Sequence, residues 1–231
     1  MQPLQRLARL AGWLYLLLAV TAPVGLLYVP GQLLVSDDAV ATAERLRASA
    51  WLLRVGIGSE LFHQVVQVYL LLVLYRLFKP VHEALARQLV VLGALVSVPV
   101  VFAVVLTELG ALLATSGAPW LDAFSRPQLD ALAYLLMRLH GQGITVVSIF
   151  WGLWLFPFGL LVMRSGFIPR ALGMLLLAAG AAYVVSASTA ILAPQLSAAV
   201  EPVTSLLELG EIPIVFWLII RGVRERGPAA A

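Results

Sequence analysis

The chain contains no cysteine. That absence excludes disulfides, thiol nucleophiles, cysteine-ligated zinc and iron–sulfur clusters, and it leaves the redox compartment open. Charge is scarce as well: 12% of the 231 residues are charged against 61% apolar, too little polar surface to clothe a soluble domain of this length. No serine stands in a nucleophile-elbow pattern, so a Ser–His–Asp hydrolase has no support. Low-complexity segments and a second domain are also missing.

What is present is long apolar runs. About 20 apolar residues are needed for a helix to cross roughly 30 Å of hydrocarbon. Six stretches, at about 8–29, 52–78, 89–114, 130–163, 171–193 and 203–221, reach or approach that length. The expected fold is therefore all-α, a polytopic membrane bundle of six transmembrane helices in a single integral membrane domain. The first run is longer than a usual signal-peptide core and reads as an uncleaved helix.

Six crossings place both termini on one side, and the cations identify it. Arg6, Arg9, Arg76, Lys79, Arg87, Arg164, Arg170, Arg221, Arg224 and Arg226 fall at one set of ends, and Arg45, Arg47, Arg54, Arg126 and Arg138 at the other. Ten against five is a positive-inside bias, so both termini are expected in the cytoplasm of a bacterial cell membrane. The net charge of +3 reflects this topology and does not imply nucleic-acid binding.

Local punctuation refines the outline. Ser36 or Asp37 is expected to cap a helix in "SDDAVATAERLRASA", and Ser125 with Gln128 has capping-box spacing at the start of the fourth span, with Pro127 in its first turn. From Arg126 to Met163 is too long for one straight crossing, so a break is expected at "HGQG", residues 140–143. The tail "RERGPAAA" is expected to fray. In "FWGLWLFPFG", Trp151, Trp154 and Phe158 share a helical face, as core packing or an aromatic belt requires.

A carboxylate inside a bilayer costs several kcal/mol, so it must be protonated, paired, bound to metal or turned to water. The candidates are Glu60, Glu108, Glu208 and Glu211, accompanied by His63 and His140. Counting back from the boundary arginines at about 1.5 Å per residue places Glu60, His63, Glu208 and Glu211 in one layer near the midplane, with Glu108 and His140 further out. An outward-facing polar pocket follows. Two interpretations of these groups stand side by side: Arg54 and Arg138 form structural ion pairs with Glu60 or Glu108, or the acids and imidazoles form a site.

Glu60-x-x-His63 has the i, i+3 spacing of carboxylate-bridged metal bundles, Glu208-x-x-Glu211 adds two acids on one face, and His140 adds a second imidazole. These six residues allow a mononuclear or dinuclear divalent-metal site. A haem between His63 and His140 is disfavoured because their depths differ by more than a helical turn. The functional expectation is a metal-dependent or acid–base site, with His140, Glu60, Glu108 and Glu211 as its working groups, acting on a lipid or small amphiphile that enters from the outer side. The alternatives are a proton-coupled carrier of a small solute and a non-catalytic scaffold or regulatory protein. The partner common to all three is the lipid bilayer; the oligomeric state is not legible.

The blocks "ARLAGWLYLLLAVTAPVGLLYVP", "VLYRLFKPV", "LVSVPV…ELGALLATSG", "LHGQG", "FWGLWLFPFGLLVMRSGFIPRALG" and "LGEIPIVFWLIIRGV" resemble, in this order, the bacterial membrane proteins of domain-of-unknown-function family 4386. The resemblance covers almost the whole chain. It implies an integral membrane fold of several helices and no assigned activity. It also implies that Glu108, His140 and Glu211 occupy motif positions and that the position of Glu60 is usually an acid. The position of His63 is more often amide-like, which moves weight from His63 to His140.

Overall fold

A computed structural model describes residues 3–223; the tail expected to fray lies outside the described residues. All regular structure among them is helical. Among the described residues, six helices are long and apolar enough to cross a membrane: α1 (Leu4–Leu33), α3 (Ala50–Phe78), α4 (Glu83–Ala114), α5 (Arg126–Ser165), α6 (Arg170–Leu192) and α7 (Pro194–Ile220). A shorter helix, α2 (Ala39–Ala48), lies between the first two spans. Large apolar side chains such as Leu27, Leu95, Leu106 and Leu206 are exposed along the spans, which suits hydrocarbon and not water.

Each start and stop has a local cause. Asp37 adopts a left-handed backbone with φ of 58°, turning the chain so that Asp38 caps α2 by accepting from the Ala41 N–H at 2.8 Å. The cap is thus one residue beyond the expected Ser36 or Asp37. At α5 the Gln128 side chain accepts from the Ser125 N–H at 2.8 Å, as the capping-box spacing predicts. His82 caps the start of α4 by accepting from the Leu85 N–H.

The irregular turns fall elsewhere than expected. Helix α5 runs without interruption through residues 140–143, so the "HGQG" break does not exist. Gly143 serves packing instead: its Cβ would stand 2.4 Å from Val104 Cγ2, so only glycine there lets α5 lie this close to α4. The break is in α7, where a tight turn at Leu209–Glu211 separates two α segments just before Pro213, which cannot donate a backbone hydrogen bond. Two widened, π-type turns occur at Val24–Tyr28 in α1 and Val91–Val96 in α4, each followed by a proline within three residues, Pro30 and Pro99.

Contacts divide the chain into two compact units. One comprises residues up to 17, 66–98 and 145 onward. Its core is aromatic: Trp154 stacks on Phe158 with centroids 5.7 Å apart, and Tyr15, Phe78 and Phe167 extend the cluster. The shared face read from "FWGLWLFPFG" is therefore core packing at Trp154 and Phe158. In the same unit Gly152 and Gly180 bring the α5 and α6 backbones together; a Cβ on Gly152 would sit 2.5 Å from the Gly180 carbonyl oxygen. Close backbone approach matters here because helices in lipid gain little from apolar burial and associate through dispersion contact. Here, too, the Gln67 amide donates to the Gly93 carbonyl at 2.7 Å, using an acceptor within the widened turn of α4.

The other unit comprises residues 18–65 and 99–144. It is fastened by polar contacts at α2 and the start of α5. Arg47 pairs with Asp130, Arg126 approaches the same carboxylate at 3.5 Å, and the Asp37 N–H donates to the Tyr134 hydroxyl at 3.0 Å. This second unit contains the buried acid–histidine group.

Candidate functional site

Three helices of that unit each contribute one ionisable side chain: α3 Glu60, α4 Glu108 and α5 His140. They are 3%, 0% and 3% exposed, respectively. His140 Nε2 lies 3.2 Å from Glu60 Oε2 and 3.1 Å from Oε1, and 3.7 Å from Glu108 Oε1. One potential ligand atom from each residue falls within 4.8 Å of the other two. With its proton on Nε2, the imidazole donates to one carboxylate oxygen of Glu60.

The rest of the group is poorly satisfied. Neither oxygen of Glu108 accepts a hydrogen bond, nor does Glu60 Oε1. A buried acceptor without a donor costs about 1–3 kcal/mol, more if charged, so three such atoms in one place favour protonation of the acids or a bound cation. Charge counting states the requirement: two carboxylates and a neutral imidazole carry −2. Neutrality in a medium of low dielectric needs two protons or one divalent cation.

Register decides which sequence candidates meet. Glu60 faces inward on a stripe with Gln64 and Gln67, all buried, whereas His63 lies at its edge, partly exposed, with Nδ1 3.4 Å from the Thr21 hydroxyl. His63 is not among the three grouped residues, and neither are Glu208 and Glu211. Glu108 and His140, expected nearer the surface, join Glu60 at one level. Counting each helix from its own terminal arginine presumes that those arginines share a level, and the contacts show that the three side chains do not follow that count. Arg54 and Arg138 are exposed and form no ion pair with either carboxylate; the nitrogen that approaches both is His140 Nε2.

Glu211 belongs to the other unit. It sits at the α7 break and accepts a hydrogen bond from the buried Tyr15 hydroxyl, with Tyr183 also directed to its carboxylate. Glu208, one turn away, is half-buried and belongs to neither group. The tyrosine partners had no separate signal in the sequence, since a tyrosine in an apolar run reads as core or belt. Asp130 with Arg47 was equally hidden, because its partner is 83 positions away.

A family model described as a domain of unknown function (DUF4386) matches residues 10–222. The chain therefore belongs to that family, as the sequence blocks above suggested. No curated protein and no solved structure gives a significant match.

Proposed function

We propose that this member of family 4386 holds one divalent cation on Glu60, Glu108 and His140 and uses it as a Lewis acid or acid–base centre on a lipid or small amphiphile. The observation that carries the reading is Glu108: a fully buried carboxyl with two unpartnered oxygens, 3.7 Å from an imidazole that already serves a second carboxylate. A 2+ ion bound there cancels the −2 of the two acids and supplies the partner that the oxygens lack. Two oxygen donors and one imidazole suit zinc, manganese or ferrous iron better than copper(I). Three protein ligands leave a fourth position free, which is the coordination of catalytic and not of structural zinc.

The cation bias supports an orientation with both termini inside a bacterial cytoplasmic membrane and, in this reading, the site opens to the outer side. A substrate would then arrive from the outer leaflet. The cysteine-free background permits a direct check of that orientation: Asp122→Cys should react with an impermeant maleimide added outside intact cells, and Lys79→Cys should not.

Metal analysis of protein purified without chelator tests the function. About one zinc, manganese or iron per chain is expected, lost in His140→Ala; absence of stoichiometric metal, after reloading as well, rejects the proposal. A second reading draws on Glu211, a carboxyl at a helix break held by a buried phenol, as the proton-binding group of a small-solute carrier. It requires pH-driven uptake into liposomes that Glu211→Gln abolishes.

A further inference from the structure

Glu60 is held against His140 by something on its other side. That something is the first span. Between Pro23 and Pro30, α1 winds through one widened turn, in which the Val29 N–H reaches back to the Val24 carbonyl. Pro30 has no N–H, so the Leu26 carbonyl cannot enter the ordinary four-residue ladder, and an extra residue is accommodated in the turn. Gly25 lies within this turn and is buried.

A Cβ built on Gly25 stands 2.6 Å from Glu60 Cγ, 3.2 Å from Glu60 Oε1 and 3.1 Å from the Gly56 carbonyl oxygen. The same Oε1 is 3.1 Å from His140 Nε2. The glutamate is thus wedged between the α1 backbone and the imidazole. Neighbouring contacts fix the register on both sides of the wedge: Ser59 donates to the Thr21 carbonyl at 3.0 Å, and Val29 packs on Gly56, whose Cβ would meet Val29 Cγ1 at 2.9 Å. Neither helix can slide to make room at Gly25.

We propose that Gly25, presented by the widened turn Val24–Tyr28, is a positioning residue that sets the Glu60 carboxylate at ligand distance from His140. The inference rests on the metal reading above. Adding one methyl at Gly25 displaces Glu60 without removing any of the three donor side chains. Loss of an orienting contact around a metal ligand lowers affinity by about 10–100-fold.

The experiment is a cobalt(II) titration of the full-length protein in detergent, read by visible absorption and by competition for affinity. Gly25→Ala should bind about 10–100-fold more weakly, with an altered ligand-field spectrum. Gly31→Ala, on the same segment, and Gly58→Ala, on the same helix as Glu60, are the controls, since a Cβ at either meets nothing within 4 Å. Both should bind as wild type does. Should Gly25→Ala fail to fold, Pro30→Ala replaces it: restoring the N–H allows a regular turn that rotates Gly25 off Glu60, and the same weakening and spectral change are expected. Wild-type affinity and spectrum in Gly25→Ala, or in Pro30→Ala when it is the folded variant, overturn the positioning role and leave the metal site standing. No cobalt binding by the wild type overturns the metal site itself, and the positioning role with it.

Discussion

Replacing Glu108 by leucine should make the metal-free protein more stable. In the structure both carboxyl oxygens are buried without a donor, at a residue with no exposed surface. Leucine is close in volume and has no polar atoms to satisfy, so the change relieves a cost of about 1–3 kcal/mol. For a chain of this size each kcal/mol moves Tm by about 2–4 °C, which predicts a rise of roughly 2–12 °C in the presence of EDTA. A structural role predicts the opposite sign: if Glu108 serves as the counter-ion of His140, removing one partner of a buried pair costs about 3–5 kcal/mol. Metal gives the second half of the test. An ion at 100 times its Kd stabilises the wild type by about 2.7 kcal/mol, and Glu108→Leu should gain none of it. Thermal unfolding in detergent, with EDTA and then with zinc or manganese, measures both. A variant less stable than wild type in EDTA would refute the reasoning, as would a variant that keeps the metal-induced shift.

Three further outcomes follow from the packing and the charge balance. Gly152→Ala sets a methyl 2.5 Å from a backbone oxygen that cannot rotate away, so it should cost about 1–3 kcal/mol in thermal unfolding while metal affinity holds, because Glu60, Glu108 and His140 lie in the other unit. Asp130→Ala leaves the largely buried Arg47 unpaired and should cost about 1–3 kcal/mol; Arg47→Ala added to it should cost little more, as a double-mutant cycle would read. Metal binding must displace the protons that otherwise neutralise the two carboxylates. Affinity should therefore fall as pH is lowered, with up to two protons released per ion in calorimetry across buffers of different ionisation heat, and affinity independent of pH would contradict the charge argument.

The spans were legible because length and apolarity are summed over some 20 residues, and single errors cancel. The extra turn at the start of α5 changes nothing in the assignment. Local caps were nearly as legible: Ser125 and Gln128 announce themselves by spacing, and the left-handed Asp37 displaced the other cap by one residue only. The breaks were not. Gly141 and Gly143 have the look of a hinge, yet the helix continues through both, and Val104 on a neighbouring helix fills the space that a side chain on Gly143 would need. The turn at Leu209–Glu211 was passed over although Pro213 marks it.

The site was legible as a pool of six residues, three of which assemble. Which three is a matter of inter-helix register, and nothing within one helix encodes that. The spacing Glu60-x-x-His63 is a local pattern and does not by itself bring the two together in the grouped trio, because the 100° steps of the helix carry His63 to the edge of the stripe that Glu60 occupies. His140, 80 positions away, supplies the imidazole instead. The role argued for Gly25 had one trace in the sequence, the pair Pro23 and Pro30 bracketing a turn within an otherwise regular span.

Anomalous diffraction from crystals of the zinc- or manganese-loaded protein, collected on both sides of the metal's absorption edge, would locate the ion itself. One peak per chain is expected, about 2.0–2.2 Å from His140 Nε2 and from one oxygen each of Glu60 and Glu108. A loaded crystal with no peak among these three side chains, or with its metal elsewhere, would contradict the proposed site.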